Sequence, residues 1–152
     1  MRKTIMTLAT GLFFMATTLS ASYADETTFP ADQLPEKAKQ FIKNNFSGKK
    51  IIYTGIEEGA FKGDYKVILS DNSKIEFSSS GNWEKVDCGK GCVPTSVIPT
   101  KIKKYISTNH KDICVSEIEY DTEITGNSYK VELQNGIDLK FNKDGDFKEI
   151  DD

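Results

Sequence analysis

The sequence predicts an α+β fold built from two tandem repeats. Each repeat is one helix packed on a four-stranded antiparallel meander, and the two lie side by side as one extended sheet. Three observations predict it. The chain aligns with itself at an offset of 64 residues without a gap. Each copy opens on an apolar stripe at helical spacing, and the remainder of each copy alternates apolar with polar residues between turn signals.

The first element is an export segment. Arg2 and Lys3 give a basic start, Ile5 to Leu19 is mostly apolar and uncharged, and Ser22-Tyr23-Ala24 supplies small residues before a cleavage after Ala24. Together these parts predict a cleaved secretory signal peptide over residues 1–24. The apolar stretch is short of the roughly 20 residues of a spanning helix, so no membrane insertion is expected after cleavage. Removing two of the 20 basic residues leaves 18 against 23 acidic ones, a net charge of −5. A soluble periplasmic or secreted protein is expected.

The two copies come next. Leu34-Pro35 lies over Ile98-Pro99, Tyr65-Lys66-Val67-Ile68-Leu69 over Tyr129-Lys130-Val131-Glu132-Leu133, and Gly81-Asn82-Trp83 over Gly145-Asp146-Phe147. From pair 34/98 to pair 88/152 there are 12 identities in 55 pairs. That number is weak alone, but the matched apolar pattern and turn glycine strengthen it. The domain boundaries expected are 25–88 and 89–152.

Each copy opens with a helix. Leu34, Ala38, Phe41 and Ile42 fall at i, i+4, i+7 and i+8, as do Ile98, Ile102, Tyr105 and Ile106. One apolar stripe therefore faces a core, with Lys and Asn opposite. Asp32 and Ser96 are suited to cap the helices, and Pro35 and Pro99 to stand in their first turns, where a missing N–H costs nothing. The helices are expected over roughly 33–46 and 97–110.

Strands with period two succeed each helix. The first lies near 50–57 and 114–121. Tyr129, Val131 and Leu133 alternate with polar residues, and Asn135-Gly136 is a strong tight-hairpin signal that Asp71-Asn72 matches in copy one. Ile75/Phe77 and Leu139/Phe141 form the next strands. Ser80-Gly81 and Asp144-Gly145 turn the chain again, and Val86 and Ile150 mark the last strands.

Composition narrows the chemistry. A pI near 5.3 and the acidic balance argue against nucleic acid. One His and three Cys leave little for metal or His-based catalysis, and no cofactor is expected. His110 ends the second helix, a common structural use. Asn142-Lys143-Asp144-Gly145-Asp146 lacks the spacing and distal Glu of a calcium loop and reads as a hairpin turn. Glu117, Glu119, Asp121 and Glu123 alternate along a strand as a solvated face. The cysteines sit at the junction of the copies. A Cys88–Cys92 bridge across two glycines is the first expectation, a bridge to Cys114 the second, and three thiols the third.

The residues Leu34-Pro35 to Phe46, Tyr129 to Leu133, and Phe141 to Phe147, with their copy-one partners, resemble the PepSY-like family of small exported bacterial proteins. That family is related in fold to β-lactamase inhibitor proteins. The resemblance covers nearly the whole chain after residue 24. It implies a tandem helix-plus-four-strand array in the periplasm without an enzyme site. Its motifs are packing and turn motifs, so inhibition is an analogy of fold only.

A two-layer unit leaves one sheet face bare. Alternation places Lys66, Ile68, Lys74, Lys130, Glu132 and Lys140 there, with Tyr53 if Ile52 and Thr54 point inward. Trp83 and Phe147 join them if the strand is regular. If the preceding turn adds a bulge, they turn back to cap the core. The expected function is a non-enzymatic periplasmic binding module that recognises a protein or peptide, inhibitor-like, through this face. The alternative is a structural or sensory accessory protein of the cell envelope.

Overall fold

The computed structural model describes residues 26–57, 64–123 and 126–151, so the expected signal peptide lies outside the described residues. The fold is α+β, with two helices on a nine-stranded antiparallel sheet. The strands are β1 (Glu26–Thr28), β2 (Ile51–Glu57), β3 (Asp64–Leu69), β4 (Lys74–Phe77), β5 (Trp83–Asp87), β6 (Val115–Glu123), β7 (Gly126–Leu133), β8 (Asp138–Asn142) and β9 (Phe147–Asp151). They lie in the sheet in chain order. Helix α1 (Glu36–Asn45) precedes β2 and α2 (Thr100–Asn109) precedes β6. The sheet has nine strands rather than the eight that the pattern predicts. The edge strand β1 pairs with β2, and the Thr54 hydroxyl donates to the Phe29 carbonyl just beyond it.

Both helices cover the same sheet face. Thr54, Val67, Ile75, Val86, Ile118, Val131 and Leu139 stand opposite one another from β2 to β8. All seven are buried. Leu34, Ala38, Ile42 and Phe46 from the first helical segment meet this row, as do Ile98, Ile102 and Ile106 from the second, in one continuous core. Burying a Leu or Ile side chain contributes about 1.5–3 kcal/mol, so this core supplies most of the driving force for layering.

The helix starts differ from expectation. Pro35 and Pro99 occupy the N-cap positions, with no side-chain cap. Ser96 instead donates its hydroxyl to Asn45 Oδ1 at 2.7 Å, joining the second helix's approach to the end of the first. Residues Ala31–Gln33 form a separate 3-10 turn.

The hairpin loops are three residues long rather than tight two-residue turns. Leu69 and Ser73 bracket one loop and Leu133 and Ile137 the other, with Asn72 (φ 66°) and Gly136 (φ 80°) in the left-handed region. A type I turn followed by a left-handed residue is a common solution for such loops. The next pair of turns uses Gly81 and Gly145 in the same conformation. A Cβ on Gly81 would lie 2.7 Å from Pro35 Cβ, and one on Gly145 would lie 3.2 Å from Lys101 Cβ. These glycines let each turn tuck under the start of a helix.

Candidate binding face

The face away from the helices carries two cross-strand rows. Tyr53, Ile68, Lys74, Asp87, Glu117, Glu132, Asp138 and Asp151 stand opposite one another from β2 to β9. Beside them run Gly55, Lys66, Glu76, Lys85, Glu119, Lys130, Lys140 and Glu149. Tyr53, Lys66, Ile68, Lys74, Lys130, Glu132 and Lys140 thus share one face. The bare residue in the row explains one detail: the Tyr53 ring lies over Gly55, where a Cβ would come within 2.5 Å of the phenol oxygen.

Five carboxylates adjoin in the first row, from Asp87 to Asp151. Like charges directly opposite one another repel. Lysines of the two rows offset this. Lys74 Nζ lies 3.4 Å from Asp87, Lys85 Nζ 2.7 Å from Glu117 and 3.7 Å from Glu119, and Lys140 Nζ 2.6 Å from Asp151. Burial works against the Lys85 ammonium, yet its hydrogen bond to Glu117 and the charges of Glu117, Glu119 and Glu76 hold its pKa above the ordinary lysine value. The hydrogen bond to Asp151 raises Lys140 likewise. Glu117 and Glu119 thus belong to a paired charge lattice and not to a loose solvated strand.

Trp83 and Phe147 do not join this face. Strand β5 carries an extra residue where Glu76 pairs with Lys85 and Phe77 with Trp83, and β9 does the same at Lys140 and Phe141. A bulge inserts one residue and reverses the parity of the residues before it. Trp83 therefore stacks on Phe41 with ring centres 6.1 Å apart, and Phe41 meets Phe77 edge-on. Phe147 stacks on Tyr105 at 4.4 Å, and Tyr105 meets Phe141 edge-on. Both aromatics lie on the helix side, Trp83 half-buried against the core and Phe147 more exposed at the end of the layer. The displaced residue Glu84 is crowded: burial, then Asp64 and Glu76, raises its pKa above the ordinary carboxylate value.

The cysteine pairing also differs from the first expectation. Cys92 is bonded to Cys114 with their Cα atoms 5.7 Å apart, and Cys88 is a thiol. The cause is the register of β5 and β6. Cys88 N–H donates to the Ser116 carbonyl and Val93 N–H to the Val115 carbonyl, so the loop between them brings Cys92 beside Cys114.

Two further sequence features make local structural contacts. His110 caps α2, its N–H donating to the Ile106 carbonyl. Asn142 Oδ1 accepts the N–H groups of Asp144 and Asp146, and Asp146 pairs with Lys101 of α2 at 2.7 Å. This is a turn tied to a helix. Among the described residues no three His, Cys, Asp or Glu side chains converge as metal ligands would.

A single sheet with both helices on one side and a charge-paired open face defines a two-layer α+β scaffold. The chain belongs to the PepSY-like family described as "Putative beta-lactamase-inhibitor-like, PepSY-like", which it matches over residues 22–59 and 63–149. It is similar to solved Bacteroides structures. One, from Bacteroides thetaiotaomicron, is described as a "putative calcium-regulated periplasmic protein"; it is 38% identical, with a TM-score of 0.78 over 84% of this chain and 98% of that one. Two from Bacteroides vulgatus are described as "putative periplasmic" proteins. They are 35% and 31% identical, with TM-scores of 0.78 and 0.77, over 84% of this chain and 98% and 99% of theirs. No curated protein matches the chain. No helix among the described residues is long and apolar enough to cross a membrane.

Proposed function

We propose that this chain is an exported, non-enzymatic binding module of the periplasm that recognises a protein or peptide through its open sheet face. We further read it as two tandem copies of one helix plus four strands, over 25–88 and 89–152. The recurrence of α1 and α2, and of β5 and β9, 64 residues apart supports that reading. The observation that carries the function is the pair of rows. They run across eight strands, their lysines and carboxylates are held in fixed pairs, and Tyr53 and Ile68 add apolar contact at one end. A fixed charge pattern that a partner must complement favours specificity over raw affinity. The periplasmic descriptions of the similar structures support the compartment.

The test uses a photo-crosslinking residue placed singly at Lys85 or Lys130 on the open face, or at Lys104 on the exposed side of α2. The full chain is expressed with its signal. A protein or peptide adduct at the first two positions and none at Lys104 is expected. Adducts only at Lys104, or sustained turnover in a hydrolase screen of the pure protein, would overturn the reading.

A further inference from the structure

Two sulfur features border one cavity of about 600 Å³ at the junction of the two halves. Cys88 and Cys92 both line it, with Lys49, Asp71, Ser73 and Lys90. Cys88 is the thiol, and Cys92 is the exposed half of the Cys92–Cys114 bridge. The backbone brings them together. Gly91 N–H donates to the Cys88 carbonyl at 2.8 Å, and a Cβ on Gly91 would lie 3.7 Å from Cys88 Cβ. Cys92 is the next residue. Gly89, at φ 54°, and Gly91 flank this turn and give it the freedom to tighten.

We infer that Cys88 and the Cys92–Cys114 bridge form an internal thiol–disulfide exchange unit. The Cys88 thiol first loses its proton to solvent. Its sulfur then attacks Cys92 Sγ, the Cys88–Cys92 bond forms and the Cys92–Cys114 bond breaks. The electron pair leaves on Cys114 Sγ, which takes up a proton. One disulfide and one thiol exist before and after, so no outside oxidant or reductant is needed. Attack falls on Cys92 and not on Cys114 because Cys92 shares the cavity and is four residues away.

The products differ in the chain that each ring encloses. The Cys92–Cys114 ring contains the whole of α2, whereas a Cys88–Cys92 ring contains only the turn. Exchange therefore unties the second helix from the start of β6 while leaving its apolar stripe in place. The cavity also sets the rate of exchange. Burial pushes the Cys88 thiol up. The hydrogen bond with Ser73 opposes this, the charges of Asp71 and Asp87 add to it, and Lys49 opposes it. Lys90 is the other cation on the cavity wall. The thiolate is thus scarce at neutral pH, and exchange accelerates as pH rises.

Trypsin can distinguish the two isomers because Lys90 lies between Cys88 and Cys92. The resting form yields peptide 91–101 linked to 112–130; the exchanged form yields 86–90 linked to 91–101. The oxidised chain lacking residues 1–24 is held at pH 7, 8 and 9 without added thiol, quenched in acid, alkylated in denaturant and digested. Loss of the first linked peptide, with matching gain of the second and of alkylated Cys114, is expected. The rate should rise about tenfold per pH unit, since the thiolate fraction does so below the thiol pKa, and should not change on dilution. Cys88→Ser, or Cys88→Ala if serine disturbs the fold, should retain the first peptide throughout. Unalkylated Cys114 in the native chain after a day at pH 9 would overturn the inference. So would a rate proportional to protein concentration, or exchange in the Cys88 variants.

Discussion

Truncating Trp83 to alanine tests the bulge that turns it inward. Loss of a fully buried Trp or Phe costs about 3–5 kcal/mol. Trp83 is half-buried, so the lower end applies, about 3 kcal/mol. About 1 kcal/mol of that belongs to its stacking on Phe41. At roughly 3 °C per kcal/mol for a chain of this size, the melting midpoint should fall by about 9 °C. Urea and thermal melts followed by far-UV circular dichroism give the free energy and the midpoint, because the change removes the chain's single Trp. A cycle with Phe41→Ala should return a coupling of about 1 kcal/mol. Trp83→Phe, which copies the residue standing at 147, should recover most of the loss. A cost below about 1 kcal/mol with no coupling would mean that Trp83 packs against nothing and that the parity argument fails.

The same geometry sets other outcomes. Gly81→Ala should destabilise by about 2 kcal/mol or more in a urea melt, because strained φ adds to a clash with Pro35. Gly136→Ala has open space around it and should cost about 1 kcal/mol. Replacing Cys92 and Cys114 together by serine should cost about 3 kcal/mol by the loop-closure relation for a separation of 22 residues, read by the same melt. Glu84 has a folded-state pKa raised above the ordinary 4.5. Its charge therefore opposes folding above that folded pKa, and the opposition fades as pH falls through it and is absent below 4.5. Glu84→Gln should raise the melting temperature at pH 7 and leave it unchanged at pH 4.

Much of the architecture is legible in residue order. The stripe Leu34, Ala38, Ile42 and its counterpart Ile98, Ile102, Ile106 are buried as their spacing requires. Period-two alternation places Lys66, Ile68, Lys74, Lys130, Glu132 and Lys140 on the face away from them. The features that are not legible depend on events between strands. One extra residue at Glu84 reverses Trp83, and alternation carries no mark of an insertion of one. Cysteine pairing arises from where β5 meets β6, which spacing along the chain does not encode. Strand β1 has three residues, too few for a period, and owes its place to β2. The row of five carboxylates arises only when five strands are set in register. The signal available is the parity of each acid on its own strand.

The order of strands in the sheet has a mechanical consequence. Because β1 and β9 are its two edges, a load applied between the ends of the described chain acts across the strands, along the direction of the inter-strand hydrogen bonds. Bonds loaded in that direction part in succession and not all at once, so the sheet would open like a zipper from either rim at low force. The covalent link between Cys92 and Cys114 interrupts this run. Tension arriving at residue 92 passes directly to residue 114, and α2 between them carries none. A pulling experiment on the oxidised chain would therefore show a contour shortened by the 22-residue separation of the bridge. The second helix would stay folded in its slack until the sheet beneath it gave way.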